Sequence, residues 1–210
     1  MAMKSPADRD LRVLHTLRCI GYSTAERVAV AAGLAEDAAR EGLDSLRREG
    51  LVSHEEGVFG GWSINEKGRA EAVRRVAEEL DASGFRSPVE TAYDEFLVLN
   101  PRLLDVCGDW QIRRIGATSF PNDHDDADYD IAVIDRLARI DEEVQPILDV
   151  LAGVLPRFGP YRTRLGRALG RVESGEQRYL TDDMESYHTI WFQLHEDLLV
   201  TLGLERFSAR

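Results

Sequence analysis

Gly50-Leu51-Val52-Ser53-His54-Glu55-Glu56-Gly57-Val58-Phe59-Gly60-Gly61-Trp62-Ser63-Ile64-Asn65-Glu66-Lys67-Gly68-Arg69 is the stretch that decides how this chain folds. Leu51 and Val52 start a strand, Glu55-Glu56-Gly57 supplies an acidic turn, and Phe59 to Ile64 alternates toward a second strand. Trp62 is expected on the face of that hairpin that meets a core, with Gly60 and Gly61 permitting a bulge or turn beside it. A helical pattern follows from Glu66 to Leu80. Upstream, Leu11, Val13, Leu14, Leu17 and Ile20 fall mostly three and four apart, which places them on one helical stripe that Gly21 ends. Ser23 or Thr24 offers an oxygen to the orphan N–H groups of a second helix, Ala25 to Ala32, and Gly33 supplies the turn after it. From Glu36 to Glu49, Ala39, Leu43 and Leu46 recur at helical spacing, and Gly50 sits where a left-handed C-terminal residue belongs.

Helix, helix, helix, hairpin and helix is the order of a winged helix-turn-helix. Two segments resemble the MarR-like winged-helix regulators: Gly50-Leu51-Val52 at the exit of the recognition helix, and Ile64-Asn65-Glu66-Lys67-Gly68-Arg69 opening the helix after the wing. The resemblance covers about the first 80 residues and implies a dimer that presents its third helix to double-stranded DNA. Affinity for DNA rests mainly on neutralised phosphates. The basic residues available for that are Lys4, Arg9, Arg12, Arg27, Arg40, Arg47, Arg48 and Arg69. Opposing them, the third helix also offers Asp37, Glu41 and Asp44 on its polar face, and the wing tip reads His54-Glu55-Glu56-Gly57 where a DNA-reading wing usually carries Arg or Lys.

The 210 residues exceed one small domain, and charge divides them unequally. Residues 1–86 carry 13 Lys+Arg against 15 Asp+Glu, whereas residues 87–210 carry 13 against 23, so most of the net charge of −12 lies in the second part. The breaker segment Asp81-Ala82-Ser83-Gly84-Phe85-Arg86-Ser87-Pro88 places a boundary between a winged-helix domain, 1–82, and an acidic helical domain, 83–210. No apolar run reaches the length of a membrane span and no leader or lipidation signature is present, so a cytoplasmic protein without a membrane partner is expected. Cys19 and Cys107 are isolated within apolar helical patterns and read as buried, reduced thiols.

The second part reads as helical throughout, giving a mainly α protein that ends in a helical bundle. Glu90 to Leu99 and Arg102 to Arg113 read as two helices separated by Asn100-Pro101. Asp126 to Leu155 is one long periodic stretch that Pro146 should kink or divide near Glu142 to Gln145. Pro160 opens a helix to about Val172, and the last helix spans roughly Asp183 to Leu204. That last helix is apolar nearly all round, which marks a central bundle element, completed within the chain or across a dimer interface.

Two clusters invite a functional reading. Asn122 to Asp130 concentrates five Asp and one His, but the calcium-loop spacing fails, and aspartates capping the long helix that follows account for it. His188 and His195 lie two turns apart with Trp191 and Phe192 between them. The separation of about 10 Å is too long for one metal ion, so no metal is expected there. The four residues read instead as satisfied core or as one wall of a pocket for a small-molecule effector. Phosphate-binding Gly loops, Gly-x-Ser-x-Gly, Cys-x-x-Cys and His-Glu-x-x-His are all missing, so neither an enzyme nor a cofactor is expected.

The leading expectation is a transcriptional regulator that binds DNA as a homodimer through the winged helix. A second resemblance supplies the alternative: Tyr93-Asp94-Glu95-Phe96-Leu97-Val98-Leu99-Asn100-Pro101, with Asp109-Trp110-Gln111 downstream, is similar to helical extensions that accompany actinobacterial pyruvate/phosphoenolpyruvate dikinase-like phosphotransferases. It implies a regulatory or adaptor partner of such an enzyme, using the winged helix for protein contact.

Overall fold

The computed structural model describes residues 5–116 and 118–204 and is mainly α-helical. Three helices come first, α1 (Pro6–Ile20), α2 (Ala25–Ala32) and α3 (Glu36–Arg48). A hairpin of β1 (Val52–Glu55) and β2 (Gly61–Ile64) follows, then α4 (Glu66–Ser83). This is a winged-helix-like arrangement. Thr24, rather than Ser23, caps α2, accepting from the Arg27 N–H, while Asn65 caps α4 by accepting from the Gly68 N–H. Ser23 instead pairs through its backbone N–H and C=O with Trp62 across the second edge of β2, which ties the wing to the loop before α2. Trp62 is buried with Leu17, Val28, Leu43 and Leu46 in the core of this head, as the alternation of the hairpin predicts.

Gly68 shows why the Asn-Glu-x-Gly-Arg segment needs its glycine. A Cβ built there would lie 2.1 Å from the Leu51 carbonyl oxygen and 2.8 Å from Ile64 Cγ1, because α4 crosses directly over the exit of α3. Ala normally gains up to about 1 kcal/mol over Gly inside a helix. Here the clash is expected to reverse the sign and cost about 1–3 kcal/mol. Gly166 in the middle of the helix that follows Phe158 meets no atom within 4 Å, so Gly166→Ala should stabilise by about 0.5–1 kcal/mol. Paired urea titrations decide it: a stabilising Gly68→Ala would show that the close approach is not made.

Beyond the head come α5 (Arg86–Gln111), a hairpin of β3 (Ile112–Ile115) and β4 (Thr118–Pro121), α6 (Ala127–Val154), α7 (Gly159–Glu173) and α8 (Tyr187–Leu202). Three expectations are corrected. The segments on either side of Pro101 form one helix, α5, and α6 is not divided at Pro146, which lies inside a single helix. A helix-interior proline costs roughly 3 kcal/mol, but both prolines are flanked by core contacts on each side. Phe96, Leu99, Leu103 and Val106 hold α5, and Val144, Ile147 and Leu148 hold α6. The β3–β4 hairpin is the third correction, since the second part is not helical throughout. Its β4 side chains are all exposed, so that strand carries no buried apolar alternation that the sequence could display.

The helix α8 is the central element, packing on α1, α4, α5 and α7 with Tyr187, Ile190, Leu194 and Leu198 fully buried. Most of α8 is thus covered within one chain, with Phe192 left exposed. The segment around residue 82 is also not a free linker. Ala72 of α4 belongs to the head core and Leu80, two turns on, to the core of the second part, so α4 enters both.

Candidate functional site

The surface that a winged helix normally presents is α3 with the β1–β2 wing. On α3, Arg40 pairs with Glu36, Arg47 Nη2 lies 3.2 Å from Asp44, and Arg48 Nε donates to the Asp44 carbonyl oxygen. Arg9 of α1 reaches Glu41 at 2.8 Å. Arg40 and Arg47 are thus already paired with acidic neighbours on their own helix, Arg48 is held only by a main-chain carbonyl, and Asp37 adds further negative charge on the exposed side. At the wing tip, Glu55 and Glu56 are exposed, and Val58 and Phe59 stand out at 96% and 91% exposure. Tyr22, also exposed, donates its hydroxyl to the Phe59 carbonyl oxygen at 2.8 Å, which fixes the tip relative to the head.

Besides Arg9, which pairs with Glu41, the six other arginines expected to contact phosphates divide between two places. Arg40, Arg47, Arg48 and Arg69 are exposed on α3 and the start of α4, and Lys67 nearby donates to the Glu49 carbonyl oxygen. Arg12 and Arg27 face the other way. Arg12 is half-buried beside Glu79 and Arg157, and that burial lowers its pKa. Arg27 lines a cavity between α2 and α7. Neither faces outward with α3, because the sides of α1 and α2 that carry them are covered by the second part of the chain. Lys4 lies outside the described residues.

The proposed effector wall is also split. Trp191, 2% exposed, stacks on Phe96 at 4.7 Å between ring centroids and donates Nε1–H to Asn100 Oδ1. Phe192, the next residue, points outward at 47% exposure. His195 packs its ring 5.3 Å from Phe96, and His188 is half-buried, where desolvation lowers its pKa. A rotation of about 100° per residue sends neighbours on a helix to different sides. Phe192 is accordingly turned away from Trp191 and His195, which both pack on Phe96, and Trp191 is core.

The structure assembles a different cluster, which the sequence reading missed, at the junction of head and bundle. Asp197 of α8 is buried and accepts from four groups: Arg157 Nη1, His15 Nε2 at 3.0 Å, Thr201 Oγ1 at 3.2 Å and Tyr161 Oη at 3.1 Å. Arg157 also donates to Glu79 at 2.6 Å and to Thr201 Oγ1 at 2.5 Å. Burial by itself would raise the Asp197 carboxyl, but the charge of Arg157, together with His15 and the hydrogen bonds from both, outweighs it and holds the carboxyl well below the usual carboxylate range. Burial pushes the Tyr161 hydroxyl and the Cys19 thiol up, which leaves both protonated and unreactive. Donor atoms of His15, Cys19 and Asp197 lie within 4.8 Å of one another. The buried Arg157 guanidinium on the same carboxylate opposes a cation there, and the adjoining cavity is only about 10 Å³. The cluster therefore welds α1 and α4 to α8, helped by Arg18 to Glu196 at 2.5 Å. One sequence signal pointed to it: Asp197 and Thr201, one turn apart, are polar intrusions in an apolar helix.

Between α2 and α7 lies a half-open cavity of about 280 Å³, walled by Arg27, Arg164, Arg167, Arg171 and Tyr179. The acidic loop, by contrast, is structural. Asp126 caps α6 by accepting from the Tyr129 N–H and pairs with Arg113 at 2.8 Å, while buried Asp130 accepts from Asn122 and from His124 Nδ1. No helix among the described residues is long and apolar enough to cross a membrane. No protein-family model, curated protein or solved structure matches this chain.

Proposed function

We propose that the protein is a winged-helix regulator whose head acts by contacting a protein partner. The observation that carries this reading is the state of the presented surface. On α3, Arg40 and Arg47 are paired with Glu36 and Asp44, acids remain exposed beside them, and the wing ends in Val58 and Phe59 rather than in Lys or Arg. A groove-facing helix with that balance repels phosphates. An exposed aromatic anchored by Tyr22 and rimmed by charge is how a protein-contact hot spot is built. The partner class that the sequence resemblance implies is a pyruvate/phosphoenolpyruvate dikinase-like phosphotransferase.

A second reading, a MarR-like dimer that binds DNA, is favoured by one specific feature. Arg47, Arg48, Lys67 and Arg69 are all exposed where α3 ends and α4 begins. Exposed ion pairs are worth about 0–1 kcal/mol, so such side chains can exchange a carboxylate for a phosphate. Fluorescence anisotropy on DNA from upstream of the protein's own gene, at about 50 mM and about 200 mM salt, separates the two. The protein-contact reading expects no retention at the lower salt, and a phosphotransferase-like partner whose binding Phe59→Asp abolishes while the fold is kept. Salt-sensitive DNA binding that Arg47→Glu removes and Phe59→Asp leaves intact would replace it with the DNA reading.

A further inference from the structure

We propose that the cavity between α2 and α7 is a binding site for a small organic oxyanion, a carboxylate or a phosphate monoester. This holds whatever the head contacts.

Four guanidinium groups converge on this cavity, and they are not equally committed. Arg164, buried in α7, donates to Glu185 through Nε at 3.0 Å and Nη2 at 2.9 Å, and also to Gln193. Arg171 pairs with Glu176 at 2.9 Å and lies over the Tyr179 ring at 4.0 Å. These two are fixed walls. Arg27 differs: it donates one long hydrogen bond of 3.5 Å from Nη1 to Ser23, while its Nε and Nη2 atoms are buried with no hydrogen-bond partner among the described residues. A buried guanidinium donor left unmade costs more than an ordinary hydrogen bond gains. Arg167, across the cavity on α7, is exposed and has no carboxylate partner among the described residues.

The acids around the cavity do not cancel these two charges. Glu185 is held by Arg164, and Asp183 lies 3.6 Å from Arg178 and accepts the Glu185 N–H. Glu26 on α2 is the one carboxylate of the lining with no ion pair among the described residues, and it is exposed. Two uncommitted guanidinium groups therefore face one solvated carboxylate. Planar guanidinium forks match the oxygens of carboxylates and phosphates, which is the chemistry that identifies the ligand class. The apolar part of the lining, Val30, Ala168 and Tyr179, gives a compact organic body somewhere to rest. At about 280 Å³ the space lies near the lower end of small-molecule sites. An extended ligand would not be enclosed. Because Arg27 belongs to the head and Arg167 to the bundle, one oxyanion between them would bridge the two parts.

The test uses the full chain in low-salt buffer, titrated calorimetrically with inorganic phosphate, phenyl phosphate and benzoate. Saturable binding of at least one probe with Kd below about 1 mM is expected. Arg167→Gln, at an exposed position, should leave the melting temperature unchanged and weaken that binding about tenfold, the loss of one charge-assisted hydrogen bond. Arg27→Gln should weaken the binding by a similar factor and serves as the second variant from the other wall. Tighter binding of phenyl phosphate assigns the natural ligand to phosphate monoesters, and tighter binding of benzoate assigns it to carboxylates. No saturable binding of any probe overturns the proposal, and so does binding that neither variant weakens.

Discussion

Asp197→Ala is expected to remove about 3–5 kcal/mol of stability, because it leaves the buried Arg157 guanidinium without the carboxylate that neutralises it. The loss should appear as a lower urea midpoint by circular dichroism with an unchanged slope. Arg157 would keep only Glu79 and the Thr201 hydroxyl, and Tyr161 and His15 would each lose an acceptor. A buried ion pair is not in itself a large net gain, since desolvating both charges offsets most of their attraction. The expected damage comes from orphaning one of them. Replacing both together, Asp197→Leu with Arg157→Met, should therefore recover part of the loss. The pH dependence has a definite direction. The folded-state carboxyl lies below its unfolded value of about 3.9, so the stability that it contributes is fully present above that value and is lost as pH falls through the lower folded-state value. The wild-type protein should lose stability progressively in that acid window, and Asp197→Ala should lack this component. A cost under about 1 kcal/mol for Asp197→Ala would show that the junction is not held by this carboxylate.

Trp191→Ala is the other large effect, about 3–5 kcal/mol. The indole is buried between Phe96 and Tyr187, with ring centroids 4.7 Å and 6.1 Å away, and its N–H satisfies Asn100 at 3.0 Å. Truncation leaves a cavity and an unpaired amide oxygen in the middle of α5. Phe192→Ala, one residue on but half-exposed, should cost roughly 1 kcal/mol. Equal losses at the two positions would mean that α8 is not oriented with Trp191 inward. If Trp191 did wall an effector pocket, its truncation would be mild, because a pocket side chain already borders empty space.

The head was legible because its signals are local. Capping of α2 by Thr24, the 3.6-residue stripe Val13-Leu14-Leu17 and the alternation that buries Trp62 all act within a few residues of chain. The central position of α8 was legible for a similar reason, since a helix apolar all round has no side to give to water. Local rules split α5 at Pro101 and allowed a division of α6 at Pro146, because a proline's cost is local while its compensation comes from core contacts made by residues on both sides. They could not show the β3–β4 hairpin, whose second strand is exposed throughout.

Function-bearing residues followed the same division. Sequence alone determined that α3 carries acids among its arginines and that the wing tip is acidic, because both are statements about consecutive or helically spaced residues. Only the tertiary structure decided that Arg12 and Arg27 turn away from that surface, and that Trp191 is core while Phe192 is not. It alone brought His15, Glu79, Arg157 and Asp197 together from four separate parts of the chain, and set Arg27 across a cavity from Arg167. Spacing along one helix fixes which residues share a face. Which face meets which depends on the packing of α1, α2 and α4 against α7 and α8, and that is decided by the summed burial of many distant side chains rather than by any motif.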